Sequence, residues 1–446
     1  MPDSDVRVLS ATASFQPIQL DQPLSISGRA ISWFTMATVQ ATVADRRGRP
    51  GSGRGTSMLS VPWAWPRAEI GLEERDRALR ELTEELAAAA VGAGPGDPIE
   101  LWRVLYSTLD DRLTALAARY GVAQVPRLAG LLPLGAVDSA VHDAWAAAAG
   151  RPASTMYDAV HLSSDLGWLD PALSGRYPGE FLTPVRRFLP VQHVVGVTDP
   201  LTPAEAGGGT RPLTDWLRTE GVHHLKVKVS GQQPELDARR VVDIARLGIA
   251  EVGRVEVAVD PNEGCPDATA ALALVEEIER LRPEVVPTLV YLEQPVPRDA
   301  PADPAAMTRL GQRLPVLLDE GFSELSLLPR LREQGWSGVV VKAAKGHSLA
   351  LLTHAYARAH GLWVTVQDLT AVSWALVHSA RLVSSFALSA PHLEYNSRQY
   401  APHAAEQLQH SLPQLARVRD GQVQLPDAGA PGLYELPVST TVEGSR

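Results

Sequence analysis

A single cysteine, Cys265, stands among 446 residues. That scarcity excludes a disulfide framework and a thiolate zinc cluster. A basic excess is also missing: Lys and Arg total 41 against 51 Asp and Glu, a net charge of −10 at pH 7. Nucleic acid and anionic membranes both require a basic face, so neither is expected as a partner. There is no long apolar run. The nearest candidate, 361–390, is broken by Gln367, Asp368, His378 and Arg381, short of the ~18 apolar residues of a membrane span. The opening residues, Met1-Pro-Asp-Ser-Asp-Val, carry neither the basic start nor the apolar stretch of a secretory signal, so a cytoplasmic protein is expected. What remains is ordinary: 45% hydrophobic and 21% charged residues, which excludes a disordered or fibrous chain. The length is enough to bury a core without staples.

Two textures divide the chain. Apolar and polar residues alternate between 31 and 43 as in a strand, within a β-meander expected over 15–60, and a turn-rich tract is expected from Asp45 to Gly55. Helical patterns follow at 69–90, 98–120 and 135–149, whereas 151–188 has no clear periodicity. An α+β domain is expected over 1–188. After Pro190, eight short apolar runs alternate with helix-like segments, among them Pro234–Leu247, Ser323–Gln334 and Ala371–Phe386. Eight such repeats match a (β/α)8 TIM barrel, here over 189–399, although an open α/β sheet also alternates. The tail of about 400–446 is expected to pack back on the first domain.

Five of these runs end in charged residues that a buried strand should avoid: Lys226 and Lys228, Asp260, Glu293, Asp319 with Glu320, and Lys342. In a barrel all strand C-termini open on one mouth, where chemistry resides. Lys226 and Lys228 are two apart and share one face of a strand. Like charges held together ease deprotonation of one, which suits a general base. Three carboxylates around one point repel unless a cation sits among them, and hard oxygen ligands select Mg²⁺. Asn262 and Gln294 are placed to support such a shell. Asp319 and Glu320 compete for the third ligand position, and Lys342 and Lys345 for the second acid/base.

These residues resemble the enolase superfamily, its muconate lactonizing enzyme and mandelate racemase-like members in particular. The resemblance rests on HLKVKV at 224–229, VAVDPNEG at 257–264, YLEQP at 291–295, LLDEGF at 317–322 and VVVKAAKG at 339–346, with LGAVDSAVHDAWAAAAGRP at 134–152 similar to the helix joining cap to barrel. It implies an N-terminal α+β capping domain over a modified (β/α)8 barrel, one Mg²⁺ per subunit on Asp260, Glu293 and Asp319, a small carboxylate substrate and a homo-oligomer. It also implies abstraction of the proton α to the carboxylate, with the metal stabilising the enediolate. Lys228 and Lys342 become the acid/base pair and Lys226 the neighbour that tunes Lys228. A lysine on the sixth strand favours the muconate lactonizing arrangement, whereas Glu394 on the eighth is nearer to mandelate racemase-like proteins. His347, Asp368, Glu394, Asn396 and Arg398 are candidates for supporting roles or substrate contact. Cap segments at about 15–28 and Arg54–Pro66, the second with Met58, Trp63 and Trp65, are expected to cover the mouth.

Two lysines on opposite faces suit a racemase or epimerase. The same pair serves a cycloisomerase or a dehydratase (lyase), and a non-catalytic carboxylate-binding scaffold is the reading from a different class.

Overall fold

The computed structural model describes residues 2–26, 29–207, 210–300 and 303–436. Ser27 and Gly28, in the expected first cap segment, and residues 437–446 of the tail lie outside the described residues. The chain opens with an antiparallel sheet of β1 (Val6–Ile26), β2 (Arg29–Asp45), β3 (Pro50–Leu59) and the short β4 (Pro95–Gly96), in the order β3-β2-β1-β4. Alternation drives β2: Ala37, Val39, Ala41 and Val43 are buried, with more exposed residues between them.

The tract expected to be turn-rich turns only between Asp45 and Arg49, and its second half, from Pro50, is β3. Gly51, Gly53 and Gly55 do not break the strand. They let it lie against the helix Arg127–Ala149, where a Cβ on each would collide with helix backbone: Gly55 at Ala136 and Ala140, Gly53 at Ala140 and Ala144, Gly51 at Ala144 and Ala148. Alternate strand residues are ~6.6 Å apart and one four-residue helix step is ~6 Å, so three glycines follow a stripe of alanines almost in step. The helix is buried on nearly every face and ends at Gly150, whose φ of 66° suits glycine. The pattern at 98–120 resolves into two helices, Pro98–Ser107 and Leu109–Tyr120. Asp97 caps the first by accepting from the Ile99 and Glu100 amides.

A parallel sheet begins at β5 (Phe188–Val195) and continues through β6 (His224–Lys228), β7 (Glu256–Asp260), β8 (Leu289–Glu293), β9 (Val316–Leu318), β10 (Gly338–Lys342) and β11 (Trp363–Gln367). β12 (Leu393–Glu394) pairs with β5, and a parallel bridge from Thr365 to Ala390 brings the two ends of the sheet together. The fold is a modified (β/α)8 barrel with an N-terminal α+β cap, as the alternation implies. Each apolar run becomes a strand within a few residues of its expected limits. The segment Ser323–Gln334 does not become an α-helix: Pro329 lies within it, and only the 3-10 turn Leu325–Arg330 forms. In the tail, β13 (Gln422–Gln424) pairs antiparallel with β5.

Cap and barrel are also tied by a buried polar chain. Ser348 Oγ donates to Asp138 Oδ1 (2.6 Å) and lies 2.8 Å from His142 Nε2. The Tyr157 hydroxyl lies 3.0 Å from His142 Nδ1 and 2.9 Å from His347 Nε2, and His347 Nδ1 is 2.9 Å from His378 Nε2. Tyr157→Phe leaves one nitrogen of each imidazole without its partner in a dry interior and is expected to cost about 1–3 kcal/mol, read from denaturant unfolding. A change within ±0.3 kcal/mol would show that the chain contributes little.

Candidate active site

The strand C-termini surround a cavity of about 490 Å³. Lys226, Lys228, Asn262, Glu293, Asp319, Lys342, Asp368, Glu394 and Asn396 open on it from the barrel. The strand period explains the convergence: Lys226 and Lys228, two apart on β6, both point into the bore. β10 is four places from β6 in a barrel of eight, so Lys342 faces Lys228 across it.

Lys226 is the deeper of the pair, bonded to Glu293 Oε1 (2.9 Å), Gln367 Oε1 (3.1 Å) and Glu394 Oε2 (3.2 Å), and 3.2 Å from Asp260 Oδ2. Burial pulls its ammonium down, but Glu293, Glu394 and Asp260 outweigh burial and hold its pKa well above the usual lysine value. Lys228 pairs with Asp260 and donates to Asn262 Oδ1 (2.7 Å). Burial opposes ionisation of Asp260, and the two lysines reverse that, so its pKa is lowered. Lys342 lies 3.0 Å from Asp319 Oδ2 and donates to the Asp368 carbonyl at 3.2 Å. Despite burial, Asp319 raises the Lys342 pKa. Asp319, between Lys342 and Lys345, is in turn held below the usual carboxylate range against its burial.

The competing pairs separate. Lys345 gives its hydrogens to the Asp319 carbonyl (2.7 Å), Asp319 Oδ1 (3.2 Å) and the Phe322 carbonyl (3.1 Å), away from the cavity. Glu320 accepts from Trp63 Nε1 (2.9 Å) and Asn262 Nδ2 (3.0 Å) behind the cavity wall. Burial and the neighbouring Asp319 push its pKa up to about 7. Burial, then Glu394, pushes Asp368 up to about 7.

His347 belongs to the cap–barrel chain and does not line the cavity. Arg398 is occupied by Glu220 (3.0 Å) and His193 (2.8 Å). From the cap, Leu20, Leu24, Ile31, Phe34, Ser60 and Trp63 close the cavity. Leu20 and Leu24 lie on β1, so that part of the expected first segment is strand, and Arg54–Leu59 is the end of β3. Trp63 forms part of the wall, whereas Trp65 is fully buried in the core. The sequence reading missed Gln367, which its own rule of polar residues at strand ends could have found. It also missed Ile31 and Phe34 of the cap, beyond the expected segment that holds Leu20 and Leu24, since their aim depends on the hairpin's path.

The donor set fits a hard divalent cation. Glu293 Oε2 has no hydrogen-bond partner among the described residues, although Glu293 is fully buried. Burial, then Asp260, raises its pKa to about 8. Asp260, Glu293 and Asp319 crowd their carboxylates together in a buried site, and a cation among them would offset the repulsion that raises Glu293.

Residues 211–433, half of the chain, match the family model described as enolase C-terminal domain-like. The chain belongs to the enolase superfamily. Muconate cycloisomerase 1 of Rhodococcus opacus is 25% identical over 403 residues, covering 85% of this chain and 93% of that protein. A mandelate racemase/muconate lactonizing protein from Herpetosiphon aurantiacus superposes with a TM-score of 0.61 at 19% identity, over 97% of this chain and 98% of that one. The N-succinyl Arg/Lys racemase of Bacillus cereus gives a TM-score of 0.62 at 16% identity, over 96% and 95%. These structural likenesses carry the fold, and the family match makes this enolase-superfamily chain an enzyme of the mandelate racemase/muconate lactonizing type. Racemases, epimerases and cycloisomerases stand among its neighbours. No described helix is long and apolar enough to cross a membrane.

Proposed function

We propose that this enzyme removes the proton α to a carboxylate and returns one to the opposite face, as a racemase or epimerase. The placement of Lys228 and Lys342 across one cavity carries this reading. Asp260, Glu293 and Asp319 would hold one Mg²⁺, with Asn262 and Glu320 behind them. Bound there, the ion supplies Lewis-acid stabilisation of charge developing on the substrate carboxylate. Lys228, in its neutral form, takes the Cα proton on Nζ, and the Lys342 ammonium delivers one from the far side, inverting the centre without a co-reactant. Asp260 and Asn262 aim Lys228, and the Asp368 carbonyl aims Lys342. Lys226 keeps its charge and orders the anions beneath them. The cap wall of Leu20, Leu24, Ile31 and Phe34 offers no charged partner, which favours a substrate whose distal end is apolar.

The 25% identity to a muconate cycloisomerase supports a second reading, cycloisomerisation, in which only one lysine transfers a proton. Incubation of N-acyl amino acids, dipeptides, sugar acids and lactones with Mg²⁺ in D₂O separates the readings by NMR. Deuterium at Cα with inversion supports the first, and ring opening or closure the second. Mg²⁺ binding with no exchange in any apolar carboxylate would sink both. Asp319→Asn is expected to weaken Mg²⁺ beyond the ~10–100-fold that outer-shell partners cost, measured by calorimetry. Unchanged binding would place the cation elsewhere.

A further inference from the structure

The bore holds a second group of metal-type ligands at the end of the strands away from the mouth. His224 begins β6 and Glu256 begins β7, and the two are paired across the strands. His392 immediately precedes β12. Four residues of strand, ~13 Å, separate this floor from Lys228 and Asp260. Because side chains alternate, His224, Lys226 and Lys228 share one face of β6, and Glu256 and Asp260 share one face of β7. His224 and His392 are more than nine-tenths buried, while Glu256 reaches solvent.

Glu256 Oε2 lies 3.3 Å from His224 Nδ1 and 3.5 Å from His392 Nε2. All three ligand atoms lie within 4.8 Å of one another. Ligands ~2.0–2.1 Å from a tetrahedral zinc ion are about 3.3–3.4 Å apart, close to the two separations from Glu256. His224 Nδ1, the atom aimed at this point, is buried and has no hydrogen-bond partner among the described residues. The rings of His224 and His392 stack with centroids 3.8 Å apart, so both cannot carry a proton's charge at once, and one ring must turn out of the stack for both in-plane lone pairs to reach one ion. Neutral imidazole is the form that binds metals. His223 is excluded from the set, since its nitrogens face Arg254 (3.0 Å) and the Gly221 carbonyl (3.2 Å).

We infer that His224, Glu256 and His392 form a site for one divalent transition metal of the zinc class, with its remaining position open to water beside exposed Glu256. Imidazole ligands distinguish it from the all-oxygen site at the mouth. A metal there would fasten β12 to β6 and β7 at the barrel floor.

The test titrates Zn²⁺, and in parallel Co²⁺, into the full chain with Mg²⁺ in excess, and into Asp319→Asn to remove competition from the mouth. One equivalent of Zn²⁺ should be retained in both proteins, with the visible bands of four-coordinate Co²⁺. Zn²⁺ should raise the midpoint of thermal unfolding. Glu256→Gln, at an exposed position, and His392→Ala should each weaken Zn²⁺ at least tenfold. The metal-free melting point of Glu256→Gln serves as the folding control. No retained zinc in the wild-type chain, or equal retention in both variants, would overturn the assignment. Because Asp319→Asn is included, failure here is separable from failure of the proposed activity.

Discussion

Lys228→Ala and Lys342→Ala should each lose inversion by about 10²–10⁴-fold, the contribution of a positioned acid or base, but they should lose exchange asymmetrically. With Lys342 gone, Lys228 still removes the proton that faces it and can return deuterium to the same side. That variant should label one enantiomer of the substrate and invert neither. Lys228→Ala should label the opposite enantiomer. The pattern follows from the places of β6 and β10, four strands apart, which set one lysine on each side of the cavity. Chiral chromatography combined with NMR in D₂O reads it directly. If Lys342→Ala still inverted at the wild-type rate, Lys342 would not be the second acid, and the single-proton cycloisomerase reading would gain.

Gly53→Ala, like the same change at Gly51 or Gly55, is expected to be among the most damaging single-methyl changes in the cap. Its Cβ would enter the backbone of the helix Arg127–Ala149 at Ala140 and Ala144. Backbone cannot turn aside as a flexible side chain can, so the cost should exceed the ~1–3 kcal/mol usual for overpacking. Soluble yield and the urea midpoint are the measurements, with Gly48→Ala as a comparison. Gly48 has open space around its Cβ position, so only its φ of 77° is disfavoured. Gly53→Ala melting with wild type would mean that the strand can lift off the helix at little cost.

The barrel was legible because its signal is local. Each strand is a short apolar run, and the charged residues at the run ends are visible without knowing any partner. Asp260, Glu293, Asp319, Lys228 and Lys342 meet because the fold gathers those ends. Other features were not legible because they depend on contacts distant in sequence. The glycines of β3 read as a turn until the helix some 90 residues later supplies the surface they fit. His347 sits next to Gly346 near the mouth in sequence, yet Tyr157 and His378 draw it into the domain junction. Neither Lys345 nor Glu320 could be separated from its neighbour by alternation, since both lie where regular strand has already ended.

The glycine stripe on its alanine rail also makes cap placement a matter of whole steps. Moving β3 along the helix by a fraction of a repeat would set its bare positions against larger neighbours, while a full repeat moves it by ~6 Å and would break the pairing with β2. The cap sheet therefore has no fine adjustment along this helix, which Asp138 in turn fastens to the barrel at Ser348. New substrates would have to be accommodated by exchanging Leu20, Leu24, Ile31 or Phe34 on a fixed frame, and drift in those four residues can proceed without disturbing how the two domains fit.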